Sequence, residues 1–128
     1  MCIKKAKVIL ALFVVLSLVP VIIISLWLFR NSIHAGLNRS RLAVIQYAIG
    51  DYLSATPSTN ESLHAFLMKK YPQIDVESNE ILDIYKTAVK YVIDKRDDGI
   101  FVGVYSAGKD KRWGTKDDVK REGTLICR

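Results

Sequence analysis

Hydrophobic and polar positions follow three successive regimes along this chain: an unbroken apolar block, an amphipathic stretch at helical spacing, and short β-branched runs separated by polar turns. Residues 8–29 are 22 consecutive positions without a charge. A helix rises about 1.5 Å per residue, so this block reaches roughly 33 Å and can cross a bilayer. The pattern predicts one transmembrane helix and excludes a purely soluble chain. A cleaved secretory signal is the alternative. Signal cores run about 7 to 15 residues and end at a small-x-small site, whereas this block is longer and only Ile33-His34-Ala35 approaches such a site. Pro20 lies inside the block, where a membrane helix tolerates the kink.

After Arg30 the pattern becomes amphipathic. Leu42, Ile45, Ile49, Tyr52 and Leu53 recur at three-and-four spacing, with Arg39, Arg41, Gln46 and Asp51 assigned to other faces. This predicts that the helix runs on to about Ser54, where Ala55-Thr56-Pro57 stops it. Ser58-Thr-Asn-Glu61 has capping-box spacing and introduces a second helix, whose buried face is Leu63, Phe66, Leu67 and Tyr71 and which ends at Pro72. Residues 73–79 read as loop and 80–89 as irregular. Residues 91–93 and 100–105 are β-branched and aromatic, and Asp97-Asp98-Gly99 between them predicts an antiparallel hairpin. A glycine-punctuated loop follows, then a last short strand at 124–127. The expected fold class is α+β: a long N-terminal transmembrane helix packed on a small antiparallel sheet with a C-terminal loop. The expected divisions are a cytoplasmic leader (1–7), a transmembrane helix (8–29), a helix extension (30–56) and a head (57–128).

Charge sharpens this picture. The 128 residues carry a net charge of +6. Lys4, Lys5, Lys7 and Arg30 flank the apolar block, and all 13 acids lie beyond it, so residues 31–128 hold 15 bases against 13 acids. The basic balance is a membrane-flank effect and gives no footprint for nucleic acid. Three lysines before the block and Arg30, Arg39 and Arg41 after it lean slightly towards a cytoplasmic N-terminus. Cys2 and Cys127 then lie on opposite sides of the membrane, which excludes an internal disulfide.

The order of features resembles the major pseudopilin of type II secretion, a relative of type IV pilins. Thr56-Pro57-Ser-Thr-Asn-Glu61-Ser-Leu63-His-Ala65-Phe66-Leu67 is similar to that family's Tyr-Pro-Thr-Thr-x-x-Gly-Leu-x-Ala-Leu segment. Asp83-Ile-Tyr85-Lys-Thr-Ala-Val89-Lys-Tyr91 stands where the family has Asp-Pro-Trp-Gly-Asn-Pro-Tyr-x-Tyr, without its proline and glycine. Val104-Tyr105-Ser106-Ala-Gly108-Lys-Asp110, followed by Gly114-Thr115-Lys-Asp117-Asp118-Val119, is similar to the family's Tyr-Ser-x-Gly-x-Asp-Gly loop closing in paired acids. Pro20 stands where pilin helices carry proline. The N-terminus departs from the pattern. Family members carry a glycine before the peptidase site and a glutamate at the fifth mature position, but here no glycine precedes Gly36 and no acid precedes Asp51.

The resemblance implies a structural subunit in a bacterial inner membrane, single-pass, with a periplasmic C-terminal head. Its partners would be the membrane, other pseudopilin or secretion-system subunits and further copies of itself. It also implies calcium in the C-terminal loop. Calcium takes six to eight oxygens at about 2.3 to 2.6 Å; Asp110, Asp117 and Asp118 are the candidate carboxylates, with carbonyls near Ser106 and Gly108 completing the shell. The competing reading is a solvated loop, because Lys109, Lys111, Arg112 and Lys116 stand among the three acids and exposed ion pairs contribute little. Asp94, Asp97 and Asp98 are explained by turn chemistry. His34 and His64 are isolated, so zinc is not expected, and no nucleophile arrangement or phosphate loop points to an enzyme. The alternatives to a fibre subunit are a stand-alone anchored accessory protein and a secreted soluble domain.

Overall fold

The computed structural model describes residues 2–55 and 61–125, with side-chain environments for 15–55 and 61–124. Its elements are α1 (Cys2–Ala55), α2 (Leu63–Lys70), β1 (Val76–Glu77), β2 (Glu80–Ile81), β3 (Lys90–Arg96), β4 (Gly99–Ser106) and β5 (Val119–Leu125). The class is α+β with a pilin-like architecture: a long apolar N-terminal helix packed on an antiparallel sheet of order β3-β4-β5, accompanied by a two-stranded ladder β1-β2. The chain divides into two compact units, Met1–His34 and Ala35–Arg128.

In the first unit every residue from 15 to 30 is exposed, with Leu16, Ile23, Trp27 and Phe29 each more than half uncovered. A helix that is apolar on all sides has no polar face to turn towards water, the pattern of a membrane span. The described stretch Val15–Ala55 contains a segment of mean hydropathy 1.8, long and apolar enough to cross a membrane, and none of that segment is buried within the chain. The same description fits a signal sequence. The helix passes through Pro20.

In the second unit the helical spacing becomes a core. Leu42, Ile45, Ala48 and Ile49 of α1 are completely buried, against Leu63, Phe66 and Leu67 of α2, Val102 and Val104 of β4, and Ile74, Ile81 and Val89. Burying each of these branched side chains contributes about 1.5–3 kcal/mol. Tyr52 and Leu53 pack at the margin as the periodicity predicts. The Tyr52 ring meets Phe66 edge-on at 5.4 Å, and its hydroxyl donates to the Glu61 carbonyl, so it joins α1 to α2.

Gln46 corrects the expected polar face. It is 9% exposed, its Nε2 donating to the Val102 carbonyl at 2.9 Å while its Oε1 accepts from Arg121 Nε at 3.3 Å. Gly123 of β5 leaves room for it, since a Cβ there would lie 3.1 Å from the amide nitrogen.

The start of α2 differs in its cap. Ser62 is the N-cap, its Oγ accepting from Ala65 N at 3.3 Å; Ser58 lies outside the described residues. The polar 73–81 region contains β1 and β2, paired as Val76↔Ile81 and Glu77↔Glu80. Ser78 and Asn79 turn between them with φ of 50° and 63°, as a two-residue hairpin loop requires. The main hairpin folds about Asp97 and Asp98, with Arg96 opposite Gly99. Strand β5 begins at Val119, five residues before the expected start at Thr124, and pairs along β4 from Ser106↔Val119 to Ile100↔Leu125. Its charged residues hide the strand because it is an edge, where charge is tolerated on both faces. Cys127 lies outside the described residues.

Directly opposed residues share a face. The inner face of the sheet therefore carries Val102, Val104 and Ser106, and the outer face carries Phe101 and Tyr105. Arg96 covers the Phe101 ring at 4.1 Å, and Tyr105 donates to Glu122 at 2.9 Å.

Candidate functional site: the C-terminal loop and its buried polar seat

The loop joining β4 to β5 is shaped by its own backbone. Gly108 and Gly114 have φ of +69° and +84°, and Lys111 lies at 58°. A Cβ on Gly108 would fall 2.1 Å from the carbonyl oxygen of Asp117, so the two ends of the loop meet at a point that only glycine can occupy. Asp110 Oδ1 accepts from Arg112 N at 3.0 Å, and Asp118 Oδ2 accepts from Gly114 N at 2.8 Å. The first is an Asx turn, and the second reaches back four residues to close the loop; in each a carboxylate satisfies a nearby N–H. The Gly108 carbonyl accepts from Lys111 N, and Asp118 N donates to the Thr115 carbonyl.

Of the five loop residues singled out from the sequence, the fold brings Gly108 against Asp117 and Ser106 against Gly108. Asp110 and Asp118 each turn to their own local backbone. Among the described residues, no three His, Cys, Asp or Glu side chains are gathered closely enough to hold a metal ion. The Ser106 hydroxyl is committed elsewhere.

That commitment is a buried polar network. Ser106 Oγ donates to Asp83 Oδ2 at 2.5 Å and accepts from Asn38 Nδ2 at 3.0 Å and Gly108 N at 3.1 Å. A hydroxyl has one proton and two acceptor positions, and all three are used. Asp83 Oδ1 accepts from Tyr85 N at 2.8 Å and Thr87 N at 3.0 Å. Asn38, Asp83 and Ser106 are each completely buried. The backbone closes the same turn, with Asp83 N donating to Thr87 O and Lys86 N to Asp83 O. One carboxylate thus fastens the 83–87 turn to the end of β4, and Asn38 adds α1.

The sequence reading offered Ser106 for its carbonyl only and gave Asp83 and Asn38 no role in a site. The signal for Asn38 was there: positions 38, 42, 45 and 49 form one helical stripe, and an asparagine on an apolar stripe calls for a buried partner.

Outside this network, Asp75 collects Arg41 at 2.8 Å and Lys86 at 2.9 Å, and Arg41 Nε also donates to the Leu82 carbonyl. The hydrogen bond from Lys86 is the main cause holding the Asp75 carboxyl below its usual range, with Arg41 adding to it. Burial raises the Tyr85 hydroxyl above its ordinary value, helped by the charges of Asp83 and Asp117. In the loop, Trp113 lies under the Lys90 ammonium at 4.2 Å, tying the loop to β3.

In comparisons with known proteins, the chain matches no family model, no curated protein and no solved structure.

Proposed function

We propose that the protein is a membrane-anchored structural subunit of the pseudopilin kind, held by its N-terminal helix in a bacterial inner membrane with its head in the periplasm. Neighbouring copies or related subunits would pack laterally through that helix. The observation that carries this reading is α1: its described residues 15–29 carry no charge and are exposed on every side, while Leu42, Ile45 and Ile49 of the same helix build the core of the head. A single element serving as anchor and as core is the organisation that the sequence resemblance implies. The second reading is an anchored accessory protein that never enters a fibre, favoured by the lack of any acid within the apolar block, residues 8–29.

Intact mass of the protein extracted from membranes tests the anchor. A full-length chain supports it, and loss of the first six or seven residues would restore pseudopilin processing; loss of about 35 residues would overturn anchoring in favour of signal cleavage. Cysteines placed singly at 15–30 then separate the two readings, since a fibre subunit cross-links along one helix face and an isolated accessory protein does not.

Calcium binding by Asp110, Asp117 and Asp118, with Ser106 and Gly108 carbonyls, is a separate proposal resting on the resemblance. It requires the loop to exchange some of its internal hydrogen bonds for metal contacts. A rise in Tm of the full chain at millimolar calcium is the expected result, and an unchanged Tm would remove the ion from the account.

A further inference from the structure

Strand β3 is an outer strand of the sheet, and all seven of its residues are exposed. Tyr91, Val92 and Ile93 stand at its centre, 37%, 50% and 37% exposed. Tyr91 lies opposite Val104 and Ile93 opposite Val102; those β4 residues are completely buried, but their β3 neighbours on the same face are not. An outer strand offers unpaired backbone groups, and apolar side chains beside them invite a further strand.

We propose that β3 is a self-pairing edge, by which two copies of this chain join antiparallel about a two-fold axis through Val92. The strand's own sequence selects the occupant. Reversed against itself with Val92 opposite Val92, it sets Lys90 opposite Asp94 twice and Tyr91 opposite Ile93 twice. Opposite charges and aromatic with β-branched residues are the stabilising cross-strand pairs.

Successive residues alternate in bonding inward to β4 and outward, so outward groups meet only when even positions oppose even and odd oppose odd. Among such registers, sliding by two residues sets Lys90 against Arg96 and Val92 against Asp94. Sliding the other way sets Tyr91 on Tyr91 and leaves Asp94 opposite Ala88. The register centred on Val92 is the one of these three that satisfies charge and apolar positions together.

The existing partners of these charges are exposed and weak: Arg96 Nε reaches Asp94 at 3.0 Å, and Lys90 lies over Trp113. A two-strand seam is smaller than the roughly 1,200 Å² of a stable interface, so the pairing needs a high local concentration, which confinement to a membrane supplies. The contact is independent of any lateral packing of α1.

The test uses the full chain in membranes, with Cys2→Ser and Cys127→Ser and one new cysteine at a time. Val92→Cys is expected to form a covalent homodimer under mild oxidation. Tyr91→Cys and Ile93→Cys are expected to cross-link to each other in mixed membranes more than either does to itself. Thr124→Cys on the other outer strand is the control for random collision.

Lys90→Asp and Asp94→Lys should each lower the Val92→Cys dimer yield at least about fivefold, because two opposite-charge pairs become like-charge pairs. The double exchange K90D/D94K should restore it. All these positions are exposed, and an unchanged circular dichroism spectrum confirms that each variant folds. A Val92→Cys yield no greater than that of Thr124→Cys, or a double exchange that fails to restore the dimer, overturns the proposal. Lateral helix packing reads out separately, through cysteines at 15–30.

Discussion

Replacing Asp83 with alanine leaves three donors without an acceptor: the Ser106 hydroxyl and the backbone N–H groups of Tyr85 and Thr87. An orphaned buried donor costs about 1–3 kcal/mol. The sum is offset by relief of the desolvation that a completely buried carboxylate carries, itself several kcal/mol. The groups left behind are neutral donors and no buried charge remains, so the net expected loss is about 2–4 kcal/mol. Asp83→Asn keeps an oxygen for the two N–H groups but turns an NH2 towards Ser106 Oγ, whose acceptor positions are already taken by Asn38 and Gly108. Donor then faces donor, and about 2 kcal/mol should be lost. Ser106→Ala leaves the Asn38 amide, the Gly108 N–H and Asp83 Oδ2 without their partner, for about 2–3 kcal/mol. Urea unfolding of the full chain in mild detergent, followed by near-ultraviolet circular dichroism, measures each value. The D83A/S106A double variant should fall short of additivity by at least about 1 kcal/mol, since both changes break one network. Additive effects, or an Asp83→Ala loss below about 0.5 kcal/mol, the range of an ordinary surface change, would refute the argument.

The remaining predictions address other parts of the head. Gly108→Ala should cost about 2 kcal/mol or more, because it adds left-handed strain to a clash with the Asp117 carbonyl, whereas Gly114→Ala, which meets open space, should cost about 1 kcal/mol; urea midpoints of the two variants give the order. Gln46→Ala should lose about 1 kcal/mol by removing the side-chain hydrogen bond to the Val102 carbonyl and the acceptor of Arg121 Nε, and comparable stability to wild type would show that the amide does not help fasten α1 to the sheet. Burial, and next the hydrogen bond to Asp51, push the Tyr71 hydroxyl up to about 12. An unfolded tyrosine ionises near 10, so this contribution is whole below pH 10 and is lost as pH rises towards 12; Tm measured from pH 9 to 12 should fall less steeply in Tyr71→Phe. Asp51 is held below its ordinary range chiefly by the Lys70 hydrogen bond and then by that of Tyr71, so its contribution is present above about pH 4 and lost on acidification, a loss that Lys70→Met should reduce.

What the sequence revealed depended on how strongly each element was patterned. The apolar block was legible by its length without a charge, the stripe Leu42, Ile45, Ile49 by the period of 3.6 that burial on one helix face imposes, and the hairpin by β-branched and aromatic runs about a turn. Elements that bury little leave no such trace. Strand β5 reads Val-Lys-Arg-Glu-Gly-Thr-Leu and is a strand because β4 offers it a complete ladder of pairs, and β1 and β2 are too short to alternate. The C-terminal loop was legible by residue type, and its hydrogen bonds were not. Asp110, Asp117 and Asp118 were correctly placed in a glycine-turned loop, yet their local hydrogen bonds depend on the φ values at 108, 111 and 114. The network under the loop joins residues 38, 83 and 106, and no local pattern carries contacts of that separation.

The missing acid in the apolar block bears on how copies of this chain would find their register. Lipid tails are as apolar as leucine, so helices in a membrane gain specificity from small residues that allow close approach and from polar groups that bond across the interface. Residues 21–29 offer Val, Ile, Leu, Trp and Phe, with Ser25 as the one polar position among them. Helices of this kind can pack side by side without preferring one axial offset. If the chain assembles, its register must therefore come from outside that segment, and the self-complementary order Lys90-Tyr91-Val92-Ile93-Asp94 supplies charge pairs that do discriminate between offsets. Exchanging Ile22 and Ile23 for leucine should then leave the cross-linking pattern of the head unchanged, while reversing Lys90 alone should change it. The opposite outcome, with the pattern shifting on the helix exchange, would place the register in the membrane.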